Sequence, residues 1–163
     1  MTPMELRKPV VAGQFYPALA QDLRNMIRAL AGSPGQQRQV MGCILPHAGY
    51  IYSGSVAAQT VAAVEVKQTV ILLGPNHTGQ GKAFSIMPRG IWRTPLGDVE
   101  IDSRLAGLFL KRSRRLESDS LAHLQEHSLE VILPILQYFG RDFKIVPIII
   151  GTDDFKGLTA LGD

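Results

Sequence analysis

One cysteine, Cys43, occurs in the 163 residues, so no disulfide closes within the chain and a reducing compartment is expected. No apolar run is long enough to span a bilayer, and even Ile145 to Ile150 is only of strand length. The opening Met1-Thr2-Pro3-Met4-Glu5 lacks the charged-then-apolar layout of a signal peptide, which makes a cytoplasmic location the expectation. Aromatic residues are scarce, at 7%, and none interleaves with the basic run Lys111-Arg112-Ser113-Arg114-Arg115. Despite a net charge of +3, that run therefore reads as a solvated helix end rather than a nucleic-acid surface. Neither a dinucleotide fingerprint nor a Walker A loop is present, so no nucleotide cofactor is expected. What remains is 45% apolar and 19% charged, the balance of a folded chain with a real core.

Apolar spacing organises the chain into alternating elements. Leu19, Leu23, Met26, Ile27 and Leu30 share a helical face, with Gly32 as the stop and Ser33-Pro34-Gly35-Gln36-Gln37 as a loop. Val40-Met41-Gly42-Cys43-Ile44 and Thr69-Val70-Ile71-Leu72-Leu73 read as strands, separated by a small-residue helix from Ser55 to Val64. Ala83 to Met87 is a further strand, and Ile91 to Asp98 an irregular connection. Asp102 or Ser103 caps a helix through Phe109. One helix is predicted over Leu121 to Phe139, kinked or restarted at Pro134, and a strand over Phe143 to Ile150, bent or edge-like at Pro147. Asp153 or Asp154 caps a last helix that stops after about two turns. The expected fold is α/β, one domain over 1–163, with a mainly parallel or mixed sheet and helices on both faces. The chain reads as cut short.

Four histidines carry the functional signal. His47 in Leu45-Pro46-His47-Ala48-Gly49-Tyr50 and His77 in Leu73-Gly74-Pro75-Asn76-His77-Thr78-Gly79 each follow a predicted strand. Turns at the carboxyl ends of strands converge on ligands, so two imidazoles there suggest a metal or acid/base site. His123-Leu124-Gln125-Glu126-His127 matches an inverted zinc-peptidase pattern, but no third ligand follows Glu130. Glu126 and His127 are better read as joining the same polar site, with His123 on the surface or behind it. Glu130 divides evenly between an exposed helix face and a polar role. Cys43, within a strand, reads as inert core. Gly54-Ser55 is a weak candidate for an anion at a helix start.

These segments, with Ala12-Gly13-Gln14-Phe15-Tyr16-Pro17, Trp92-Arg93-Thr94-Pro95-Leu96-Gly97 and Glu126-His127-Ser128-Leu129-Glu130-Val131, resemble the Memo family in order. The prokaryotic members are also called AmmeMemoRadiSam system protein B. The resemblance implies a fold similar to class III extradiol dioxygenases, which use non-haem iron(II). It implies that His47 and His77 belong to a metal site and that His127 is a catalytic pocket residue beside them; Tyr50, Asn76, Glu126 and Arg93 are the further pocket candidates. Iron(II), copper or zinc are the candidate ions, and the reaction is open. AMMECR1-like and radical-SAM proteins are the partners it implies. The family continues into a Ser-Ser-Asp-x-x-His segment and a cysteine, so the resemblance implies only an N-terminal part here and an incomplete site. A missing C-terminal half or self-association would cover the resulting apolar surface. The alternative is a peptide- or anion-binding module with a vestigial pocket, using Arg93, Tyr50 and Tyr52.

Overall fold

A computed structural model describes residues 5–33, 35–140 and 142–162. The readings of Met1 to Met4 and of Pro34 fall outside them. In chain order the elements are β1 (Leu6–Arg7), α1 (Ala20–Ala31), α2 (Tyr50–Ala62), β2 (Thr69–Pro75), β3 (Phe84–Ile86), β4 (Ile91–Thr94) and β5 (Gly97–Glu100). They continue with α3 (Ser103–Arg112), β6 (Glu117–Ser118), α4 (Leu121–Leu124), α5 (Leu133–Phe139), β7 (Lys144–Ile150) and α6 (Phe155–Gly162).

Two sheets result. The larger is mixed, in the order β2-β7-β3-β6, and the smaller runs β1-β4-β5. β7 is parallel to β2 and antiparallel to β3. Its Ile145, Val146, Ile148 and Ile149 are buried, as a strand covered on both faces requires. Asp102 N–H donates to Ile145 O at 2.9 Å and ties the end of the smaller sheet to β7.

Helix α1 buries Leu23, Ile27 and Ala31, one turn apart each time, and ends at Gly32 with φ of 65°. It packs on α2, which presents Ala57, Ala58, Val61 and Ala62. Gly54 lies inside α2, where a Cβ would meet Leu30 Cδ1 at 2.8 Å. Close helix packing therefore explains this glycine, and Gly54-Ser55 is not an anion-binding helix start. Asp102 caps α3 by accepting from Leu105 N–H at 2.9 Å, and Lys111 and Arg112 occupy its last turn. Asp154 accepts from Gly157 N–H at 3.1 Å and caps α6.

Several expectations are corrected. Val40 to Ile44 is not a strand: it is exposed, and the nearest pairing is the isolated Arg38–Val64 bridge. Strand propensity needs a neighbouring strand and a half-buried surface to act on, and this segment has neither. Cys43 is consequently exposed rather than core. Residues 91–100 form the β4–β5 hairpin instead of an irregular connection, because Pro95 sits in the turn and costs the ladder no hydrogen bond. Pro147 lies in a central strand, not an edge. Its carbonyl accepts from Met87 N–H at 3.4 Å, one residue past the end of the β3 ladder. Since a strand residue's N and O point the same way, the missing N–H falls where that ladder has already stopped. The helix expected from Leu121 to Phe139 divides into α4 and α5: residues 125–127 are irregular and 128–132 are turn, while α5 restarts with Pro134 in its first turn, as the expected restart there had it.

Candidate metal centre

The break between α4 and α5 builds the site. With no helix at 125–132, Glu126 and His127 swing against the end of β2. Ser128 Oγ donates to Pro75 O at 2.9 Å and fastens the turn there. Gly74 permits the approach, since a Cβ on it would meet Leu129 Cδ2 at 2.6 Å and Ser128 Oγ at 2.8 Å. His77 follows β2 on a turn organised by Asn76. Its Oδ1 accepts from Thr78 N–H at 3.0 Å and Gly79 N–H at 2.9 Å. His47 sits on the loop before α2, held close because Tyr50 N–H donates to Phe15 O at 2.8 Å.

Three imidazoles meet. The His47 and His77 ring centres are 5.2 Å apart, and His77 stacks on His127 at 4.6 Å with 12° between planes. Phe15 lies against His127 with ring centres 4.8 Å apart and the planes tilted by 49°. Ligand atoms of His77, Glu126 and His127 all lie within 4.8 Å of one another. His127 Nδ1 is buried and has no hydrogen-bond partner among the described residues. An orphaned buried nitrogen beside two other imidazoles is what a metal-ligating set offers when its neighbours provide no proton acceptor.

Glu126 is fully buried. Its Oε1 accepts from His127 N–H and Ser128 N–H, both at 2.8 Å, and faces His77 Nδ1 at 2.9 Å; its Oε2 accepts from His77 N–H. Burial opposes ionisation, but the hydrogen bonds from His77 and Ser128 prevail and hold its pKa down to about 2. Burial, then repulsion from His77 and His127, keeps His47 below the ordinary histidine value, which favours its neutral, ligating form.

A second buried carboxylate braces this turn. Glu130 pairs with Arg7 and accepts from Val10 N–H and Val11 N–H at 3.0 Å and from Tyr16 Oη–H at 2.7 Å. Arg7 also donates to Glu126 O at 2.6 Å and His123 O at 3.1 Å. Glu130 is thus a buried structural partner rather than part of an exposed helix face. His123, expected on the surface or behind the site, is in the core between Asp119 O at 3.0 Å and Pro147 O at 3.2 Å. Because 125–127 is not helical, His123 and His127 share no helical face, and the zinc-peptidase reading falls.

The cleft over the imidazoles has a volume of about 880 Å³, and its walls include Phe15, Leu45, Pro46, Tyr52 and Val56. The structure brings together His47, His77, His127 and Glu126. Three expected pocket residues stand elsewhere. Tyr50 is core, donating to Val131 O at 2.8 Å, and Asn76 is spent on its turn. Arg93 is on β4, held by Asp98 at 2.7 and 2.8 Å. Phe15 and Ser128 were not singled out for the site; both lay within quoted motifs, but nothing local shows what they touch.

A family model described as Memo-like protein matches residues 7–163. This chain belongs to the Memo family. It is 49% identical over 153 residues to a MEMO1 family protein of Methanosarcina acetivorans, covering 93% of this chain and 56% of the relative. To that of Methanosarcina mazei it is 45% identical over 162 residues, covering 98% of this chain and 60% of the relative. To that of Pyrococcus abyssi it is 44% identical over 167 residues, covering 96% and 57%. The chain therefore spans 56 to 60% of the length of these Memo relatives.

The expectation of a match to an N-terminal part only is corrected to a family match that runs from residue 7 to 163. So is that of a site lacking its ligands, because the His77, Glu126 and His127 cluster stands in this chain. The expected partners are withdrawn with them. The family match runs through residue 163 and gives no support to the expected missing C-terminal half. The relatives' names mention no AMMECR1-like or radical-SAM protein.

Proposed function

We propose that this Memo-family protein binds one transition-metal ion through His47, His77 and His127, in a cleft shaped to admit a small molecule beside it. The observation that carries the reading is the meeting of three imidazoles from separate segments around the unpartnered His127 Nδ1. Imidazole-rich donor sets suit iron(II), copper and zinc, and iron or copper is the choice we make from the family resemblance. A bound ion would supply a Lewis-acid centre with positions open to exchange. Within the chain, His77 and His47 would hold it. His127, stacked on His77 and beside Phe15, would hold it or carry a proton at its free nitrogen. Apolar walls from Phe15, Leu45, Pro46 and Val56 limit water and favour an uncharged ligand surface. Among the described lining residues there is no lysine or arginine, and Arg93 is committed to Asp98, so the anion-binding alternative has no cation to use. A cytoplasmic setting and a single domain over 1–163 complete the proposal.

The test is metal content after anaerobic loading with iron(II) or copper. One ion per chain is expected, falling to near zero in His47→Ala and His77→Ala. Absence of bound metal in a well-folded wild type overturns the reading.

A further inference from the structure

We infer that Glu126 is a positioning residue of this site: its buried carboxylate fixes His77 as the Nδ1–H imidazole and presents the Nε2 lone pair to the cleft. The inference rests on the metal-binding reading for its purpose, but not for its geometry. Glu126 is fully buried, and the side chain that its carboxylate faces among the described residues is His77. Arg7 reaches only the backbone oxygen of Glu126. Three backbone N–H groups, from His77, His127 and Ser128, converge on the carboxylate. A protonated carboxyl would aim its own hydrogen into that set of donors, so the group stays an acceptor at both oxygens.

Across 2.9 Å from Oε1 stands His77 Nδ1. Two lone pairs at that distance repel, so Nδ1 carries the hydrogen, and in the neutral ring the free lone pair belongs to Nε2. The His77 side chain is 42% exposed, so this second nitrogen can meet a ligand from the cleft. A carboxylate that orients a ligating histidine through its other ring nitrogen is a recurrent support of metal sites. Glu126 also lies within reach as a ligand itself. Using it so would compete with three backbone N–H groups that have no other partner among the described residues.

Long-range proton–nitrogen correlation of the histidine rings in labelled wild type, near neutral pH, reads the tautomer directly. The expected spectrum of the metal-free protein shows His77 with a protonated Nδ1 and an unprotonated Nε2. Addition of zinc should then move Nε2 while Nδ1 keeps its hydrogen. A His77 found as the Nε2–H form, or a Nδ1 that loses its hydrogen to zinc, overturns the inference. Should the Nδ1–H form be present and no ring respond to any metal, the positioning stands and the metal reading fails. In Glu126→Ala, which removes both acceptor oxygens, the tautomer should be released and zinc affinity should drop about ten- to hundred-fold. Unchanged tautomer and affinity in a folded variant would also overturn it, and if the variant does not fold the wild-type spectrum decides.

Discussion

His123 and His127 are four residues apart and meet opposite conditions. His127 is half-buried beside two other imidazoles, whereas His123 is sealed in the core against Trp92. Burial, outweighing the two carbonyls that face its ring, lowers the His123 pKa to about 4. Its neutral form is thus favoured by folding. That stability is complete above about 6.5, the ordinary value, and is lost as the pH falls toward 4, because the unfolded chain takes up the proton first. The loss amounts to roughly 3 kcal/mol over this window. Chemical denaturation at a series of pH values should show wild type losing about that much more than His123→Gln between those limits. Equal slopes would mean that His123 is not buried neutral. Sequence reading could see that both residues were histidines, but not that a helix breaks between them. Nothing local distinguishes the turn at 125–132 from the helix that its apolar spacing suggests.

Among the elements, those that carry their own signals were legible. The apolar stripe and Gly32 mark α1, Asp102 marks the start of α3, and the unbroken apolar runs mark β2 and β7. Elements that depend on neighbours were not. Residues 40–44 have strand composition without a strand beside them, and β4–β5 was hidden by a proline that sits harmlessly in its turn. The Arg7–Glu130 pair was equally invisible, since 123 positions separate its members. It joins β1 to the turn that holds Glu126 and His127, with both side chains out of water. Replacing Glu130 with Gln leaves Arg7 as an uncompensated buried charge, which should cost about 3 to 5 kcal/mol. Thermal or denaturant unfolding checks this. A cost below about 1 kcal/mol, the range of an exposed pair, would contradict the role assigned to it.

On the scale of the whole molecule, the candidate site belongs to no single element. His47 comes from the loop before α2, His77 from the end of β2, His127 from the turn after α4, and Phe15 from the segment after β1. Only His77 stands at the strand end read from the sequence; His47 follows no strand and His127 lies where a helix was expected, although His47, His77, Glu126 and His127 do come together. Phe15, and the displacement of Tyr50, Asn76 and Arg93 from the pocket, required the tertiary arrangement. Large apolar side chains stay exposed at the cleft, where Ile44, Tyr52 and Val56 line it, and at Met41, Ile51 and Leu73; β2 forms a sheet edge among the described residues. No helix of the described residues is long and apolar enough to cross a membrane.

The central claim is that the three imidazoles bind one ion together, and pulsed electron paramagnetic resonance of the copper(II)-loaded protein tests it most directly. The nitrogens of coordinated imidazoles modulate the copper signal and can be counted. Wild type should show several equivalent imidazoles, with the modulation weakened in each of His47→Ala, His77→Ala and His127→Ala. A copper spectrum without imidazole modulation, or one that none of the three substitutions changes, would place the metal elsewhere and contradict the account.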